Sequence, residues 1–350
     1  MLKAGDLSGR RAWRCALALV LITLLGAGCD KQPEPRSKSR SAPSAAAAPT
    51  RSTQAAAASA RPDITPSVPF RYPAPKRLVA LGDVHGDLAA TLRALRLAGV
   101  VDEASHWKAG ELVVVQTGDQ LDRGDDERKI LDLFERLREE AHKAGGAFHV
   151  LLGNHETMNA QADFRYVTQG GYAAFADVQE SGVSEGVISR FPESARGRAR
   201  ALLPGGKYAA LLGKRNTIVI VGDTVFVHGG VLLEHVDYGI GRLNEEVREW
   251  LVGKRSAPPR LIVADDGPVW SRDYSDPASS KADCAQLSQV LTRLKVKRMV
   301  VGHTVQDHGI TSACDGKVWR IDVGMAKHYG GQPAALQIEG ETVTPLVEQP

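Results

Sequence analysis

Aromatic side chains make up only 5% of the 350 residues, and the chain has just 4 cysteines and 4 methionines. Its charges nearly cancel, with Lys+Arg 44 against Asp+Glu 41, so the formal net charge is only +3. Part of that excess lies in the basic N-terminal stretch, and nowhere do lysines and arginines cluster with interleaved aromatics. This excludes the electrostatic footprint of a nucleic-acid-binding surface. Long apolar runs are missing as well. The most extended, Cys15 to Leu25, has about 11 residues, whereas a membrane-spanning helix needs roughly 20. No internal repeat is visible.

The N-terminal segment has a different character. Lys3, Arg10, Arg11 and Arg14 precede the apolar run, and small residues and Cys29 follow it, which is the order of a secretion signal over residues 1–29. Leu25-Gly26-Ala27-Gly28-Cys29 is similar to a bacterial lipoprotein processing site, where the cysteine is lipidated and becomes the new N-terminus. Simple cleavage to a soluble protein and retention as an anchor are the alternatives. Residues 30–72 are dominated by Ala, Pro, Ser and basic residues, with no large apolar side chain before Ile64, and such a composition cannot bury a core. A disordered tether is therefore expected there. The expected location is outside the cytoplasm of a bacterium, periplasmic or held to the membrane through lipidated Cys29.

Residues 73–345 are long enough for one large α/β domain. Arg77 to Leu81, Leu112 to Thr117, His149 to Leu152, Ile218 to Val221, Val225 to Val227, Arg298 to Val301 and Val318 to Ile321 are short apolar runs that read as buried strands. Leu88 to Leu97 and Ile130 to Lys143 carry apolar residues at helical spacing. Residues 160–215 break this alternation and read as a small helical insertion over the active face.

Chemistry-bearing residues recur just past the strand-like runs: Gly82-Asp83-Val84-His85-Gly86, then Gly118-Asp119-Gln120-Leu121-Asp122-Arg123-Gly124, then Gly153-Asn154-His155-Glu156. Open α/β sheets bind ligands at the carboxyl ends of their strands. Carboxylate, imidazole and amide oxygen together suit a borderline divalent ion such as Mn, Fe or Zn, and the arginine among them suits a phosphate.

These three motifs resemble those of the calcineurin-like metallophosphoesterases, in particular the phosphoprotein phosphatase branch. Val227-His228-Gly229-Gly230 and Gly302-His303-Thr304 resemble its two later histidine motifs. Gly118 to Asp125 and Val301 to Gln306 are most similar to the bacterial-type Shewanella-like phosphatases. The eukaryotic enzymes' late Ser-Ala-Pro-Asn-Tyr segment is missing; Ile321-Asp322-Val323-Gly324-Met325 stands near that place. The resemblance implies central mixed β-sheets forming a sandwich flanked by helices. It also implies two divalent cations, manganese first and iron or zinc next. Asp83, His85 and Asp119 would hold one, and Asp119, Asn154, His228 and His303 the other, with Asp119 bridging.

The resemblance further implies hydrolysis of phosphotyrosine or phosphoserine/threonine in a peptide or protein by in-line attack of a metal-bridging hydroxide. His155 would be the general acid and Asp122 the carboxylate that orients it, while Arg123 and Arg272 would bind phosphate. Glu156 is expected to support its loop. A bis-nucleoside tetraphosphatase and a binding protein on an inactive scaffold are the competing readings. A monomer is expected, and Cys284 with Cys314, as the even pair left in an exported domain, are candidates for a disulfide.

Overall fold

A computed structural model describes residues 68–278 and 281–348. The signal segment, Cys29 and nearly all of the tether lie outside the described residues. In chain order the elements are strand β1 (Arg71–Tyr72), β2 (Leu78–Leu81), helix α1 (Leu88–Leu97), β3 (Val113–Gln116), α2 (Glu127–Lys143), β4 (Ala147–Val150) and α3 (Asn154–Ala160). Next come α4 (Gln169–Ala173), α5 (Glu185–Ile188), α6 (Glu193–Leu202) and α7 (Lys207–Leu212). β5 (Ile218–Val221) and β6 (Thr224–Val227) lead to α8 (Leu233–Tyr238), α9 (Ile240–Leu251), α10 (Arg260–Val263) and α11 (Lys281–Leu294). The chain finishes with β7 (Arg298–Val301), β8 (Thr311–Ala313), β9 (Val318–Arg320), β10 (Ala334–Glu339) and β11 (Thr342–Val347).

The strands form two mixed sheets, a 6-stranded one in the order β1-β5-β6-β7-β9-β8 and a 5-stranded one in the order β11-β10-β2-β3-β4. Period-2 alternation explains why the central strands are apolar throughout. In β2, Leu78 and Ala80 point between the sheets while Val79 and Leu81 point to the helices outside. In the other sheet Val219, Phe226 and Val300 face inward, and Ile218, Val225 and Met299 face outward. Both faces of these central strands are thus covered, giving four layers: helices, sheet, sheet, helices. The α2 stripe of Ile130, Leu133, Phe134, Leu137 and Ala141 shows how a helix joins this arrangement. Its spacing puts every member on one face, and burying a side chain such as that of Phe134 is worth about 2–3 kcal/mol.

Several sequence expectations shift. β1 pairs with β5 and lies within the stretch read as tether, so the fold already includes Arg71 and Tyr72. β4 starts two residues before the expected His149. The hairpin of β10 and β11 was not anticipated because β11 is a half-exposed edge strand interrupted by Pro345, and neither feature reads as a buried run. The segment over the active face is helical, from α4 to α7. Cys284 and Cys314 are disulfide-bonded, with their Cα atoms 5.3 Å apart, which ties α11 to the turn after β8.

Candidate metal centre and active site

Parallel pairing of β2, β3 and β4 brings their carboxyl ends to one edge, and parallel pairing of β6 with β7 does the same in the second sheet. Asp83 and His85 follow β2, Asp119 follows β3, Asn154 opens α3 after β4, and His228 and His303 follow β6 and β7. The turns are tight. His85, Asp119, Asp122, Arg123 and His303 all adopt positive φ, between 41° and 71°. Non-glycine residues rarely do so, and such strain concentrates at functional sites. Two glycines make room for the carboxylates: a Cβ at Gly153 would collide with Asp119, and one at Gly302 with Asp83. Glu156 holds the second loop in place. Its Oε2 accepts from the N–H groups of Gly153 (2.7 Å) and Asp119 (2.8 Å), and its Oε1 from Gln120 (2.8 Å) and Leu121 (3.1 Å).

The ring nitrogens turned away from the centre donate to carbonyls: His85 Nδ1 to Leu121 O at 3.0 Å, His228 Nδ1 to Thr117 O at 3.1 Å and His303 Nε2 to Trp270 O at 3.0 Å. A carbonyl only accepts, so in the neutral rings the other nitrogens carry lone pairs, and those point inward. His228 Nε2 then faces His303 Nδ1 at 3.1 Å, Asn154 Oδ1 at 2.9 Å and Asp119 Oδ2 at 3.2 Å. His85 Nε2 lies 3.6 Å from Asp119 and 4.0 Å from Asp83. Acceptors crowded together repel one another unless a proton or a cation lies between them, and a divalent ion meets that need for the whole cluster. Among the described residues no lysine or arginine forms an ion pair with Asp83 or Asp119. The donor set therefore fits divalent metal, with Asp119 in contact with both sides.

Burial and neighbouring charge act differently on these groups. Burial lowers His85 to about 4 and drives His303 down further, so both are neutral and able to coordinate. Burial also raises Asp83, with the nearby Asp322 and Asp119 adding to the effect, as expected of carboxylates gathered without a counter-ion. Burial disfavours the cation at His155 too, but the carboxylates of Asp119 and Asp122 outweigh it and push His155 up to about 9. His155 Nδ1 bonds Asp122 Oδ2 at 2.6 Å, and its Nε2 lies 3.8 Å from Asp119 Oδ2. Position alone would group His155 with His85 and Asp119 as a ligand. Its Nδ1 is held by a carboxylate, however, whereas the outward nitrogens of His85, His228 and His303 are held by backbone carbonyls.

Arg123 sits at the mouth of this centre. Its guanidinium lies 3.9 Å above the Tyr166 ring, the backbone N–H of Arg123 donates to Tyr166 O at 3.1 Å, and its buried Nε has no partner. A cleft of about 470 Å³ opens there, lined by His85, Asp87, Arg123, Asp125, Lys327 and His328. Arg272 is anchored beside His303 through His303 O (3.2 Å) and Thr304 Oγ1 (2.7 Å). The structure thus brings together all six expected metal-binding residues with His155, Asp122 and Arg123, and seats Arg272 on the His303 loop. Cys29 lies outside the described residues.

Sequence reasoning missed other members. Asp322 is buried next to Asp83 and is raised to about 6 by its burial. It follows β9 just as the other carboxylates follow their strands, and that regularity could have found it. Tyr166 and Arg198 come from the segment over the face. Arg198 occupies the apolar stripe of α6 with Ala195, Ala199 and Leu202, and a charge on a buried stripe was the available signal.

A calcineurin-like phosphoesterase family model matches residues 76–307. Shewanella-like protein phosphatase 2 of Arabidopsis thaliana is 41% identical over 307 residues, covering 79% of this chain and 78% of the relative. A solved structure of a cold-active protein tyrosine phosphatase superposes with a TM-score of 0.66 at 27% identity, covering 80% of this chain and 78% of the other. A second, of the cold-active protein-tyrosine phosphatase of a psychrophilic Shewanella species, does so with a TM-score of 0.63 at 27% identity, over 80% and 82% of the two chains.

Proposed function

This chain belongs to the calcineurin-like phosphoesterase family and is a metal-dependent phosphatase, and from that premise we propose that it removes phosphate from phosphotyrosine or phosphoserine/threonine in proteins, using two divalent cations, manganese foremost. The observation that carries the reading is the convergence of His85, His228, His303 and Asn154 on Asp119, next to the His155–Asp122 pair and the unpartnered Nε of Arg123. When bound, the cations clamp phosphoryl oxygens and make a water nucleophilic at neutral pH. Asp83, His85 and Asp119 would hold one, and Asp119, Asn154, His228 and His303 the other.

The protein's own groups supply the rest. Arg123 and Arg272 present planar guanidinium groups suited to the non-bridging oxygens. His155 Nε2 passes its proton to the departing alkoxide or phenoxide, while Asp122 keeps Nδ1 protonated and the ring turned. Every ligand position is filled, which supports catalysis over a binding-only role. The exported, lipid-anchored location rests on the sequence, and the same proposal includes a monomer tethered through Cys29. Among the described residues no helix is long and apolar enough to cross a membrane.

The test compares kcat/KM of the manganese-loaded protein on phosphotyrosyl, phosphoseryl and phosphothreonyl peptides with that on diadenosine tetraphosphate. Phosphopeptides should be preferred by at least about tenfold, and chelator should abolish turnover. A preference for the dinucleotide would overturn the substrate assignment. Cys29→Ala should move the protein from the membrane fraction to the soluble one, and an unchanged distribution would refute the anchor.

A further inference from the structure

Arg198 is fully buried, and every one of its N–H groups has an acceptor. Nε donates to Asn159 Oδ1 at 2.8 Å. One terminal nitrogen donates to Glu127 Oε2 and to Gly171 O at 3.0 Å. The other donates to Glu127 Oε1 at 3.0 Å and to Asp122 Oδ1 at 3.2 Å. Asp122 thus uses one oxygen for Arg198 and the other for His155. Asn159 completes the connection: its Nδ2 donates to Asp122 Oδ1 at 3.1 Å and to His155 O at 2.9 Å. Glu127 also accepts the backbone N–H of Asp122, whose φ of 67° needs such support. Phe164 and Phe175 pack beside the guanidinium, with ring centroids 5.8 Å and 5.4 Å away.

Burying three charges is a poor way to stabilise a fold, because desolvation offsets most of the attraction. What the arrangement does achieve is geometric. A planar fork with all its donors engaged leaves Asp122 a single rotamer, and that rotamer sets the direction of the imidazole. We propose that Arg198 is a positioning residue for proton delivery: it fixes Asp122 so that Oδ2 holds Nδ1–H of His155 and Nε2 is aimed at the leaving oxygen. The segment over the active face is then part of the catalytic apparatus, since it supplies the residue that orients the acid. This inference rests on the reading of His155 as general acid.

The experiment measures kcat and KM of the manganese-loaded protein on phenyl phosphate, whose leaving group needs a proton, and on 4-nitrophenyl phosphate, whose leaving group needs little help. His155→Asn serves as the reference. Arg198→Met should lower kcat on phenyl phosphate by about 30- to 100-fold and on 4-nitrophenyl phosphate by less than about 5-fold, with KM within about twofold. Arg198→Lys should recover part of the loss, because an ammonium restores the charge but not the fork. In an Asp122→Asn background Arg198→Met should cost nothing further. Equal losses on both esters, or none, would overturn the proposal. If the Arg198 variants do not fold, Asn159→Ala is the alternative, with a selective loss of about 3- to 10-fold expected. An unselective or absent loss there would count equally against the idea. Should His155→Asn itself lack leaving-group selectivity, the general-acid reading fails; should it be selective while the Arg198 and Asn159 variants are not, only the role of Arg198 fails.

Discussion

Glu156→Gln is a near-isosteric change whose effect can be worked out from four hydrogen bonds. In the native protein each carboxylate oxygen accepts two backbone N–H groups, from Gly153 and Asp119 on one side and from Gln120 and Leu121 on the other. Glutamine keeps one accepting oxygen and places an NH2 group against the other two donors. Two charge-assisted bonds are lost, at about 1.5–3 kcal/mol each, and two buried N–H groups are left without acceptors. The expected destabilisation is about 3–6 kcal/mol, a large share of the about 5–15 kcal/mol that holds a domain together. Asp119 should suffer most directly, because its own N–H is one of those bonded and its positive φ depends on the loop being held. Urea unfolding of the metal-free protein isolates the stability term, and metal titration by calorimetry measures the second effect. A loss below about 1 kcal/mol together with native metal affinity would refute the view that Glu156 builds the site through the backbone.

Asp119→Asn should reduce metal content from two ions towards one or none and abolish turnover, because Asp119 lies between both donor groups; elemental analysis checks this. The pH dependence should follow His155, whose raised value keeps the acid protonated at low pH, so kcat on poor leaving groups is held at low pH and lost as pH rises through that value. Cations on Asp119 weaken that residue's share of the shift, and Asp122→Asn removes the larger of the remaining ones, so its alkaline limb should move to lower pH; an unmoved limb would contradict the pairing. At the surface, Glu140 is partly buried, which opposes ionisation, yet the Trp107 N–H, His106 and Arg136 bring it down to about 2. A depressed carboxylate stabilises above its unfolded value and ceases to as pH falls through the folded one, so Glu140→Gln should cost about 1 kcal/mol at neutral pH and nothing at pH of about 2, measured by thermal unfolding.

The ligand motifs were legible in the sequence because both of their signatures are local. A buried strand must be apolar on both faces, and a residue just past its end stands at the sheet edge whatever the rest of the chain does. That placed the motifs at the sheet edge, the resemblance to the metallophosphoesterase motifs named Asp83, Asp119, Asn154, His228 and His303 as ligands, and helical spacing gave Leu88 to Leu97 its observed ends. Strands whose burial depends on distant partners were harder. β1 has only two residues and is defined by pairing with β5, and β11 lies half exposed on β10.

By itself the sequence determined which donors exist and which strand ends carry them. Only the tertiary structure decided how those donors confront one another. Contact between His228 Nε2 and His303 Nδ1 joins residues 75 positions apart, and the contact between Arg198 and Asp122 spans 76. No periodicity encodes such a meeting, because it depends on how sheets and helices pack. The left-handed turns at Asp119, Asp122 and Arg123 likewise persist because Glu156, Glu127 and Tyr166 hold them from elsewhere in the chain. The raised value of His155 belongs to the same class: an isolated histidine titrates near 6.5, and it takes the carboxylates of Asp119 and Asp122, brought in from other loops, to outweigh the burial that opposes its cation.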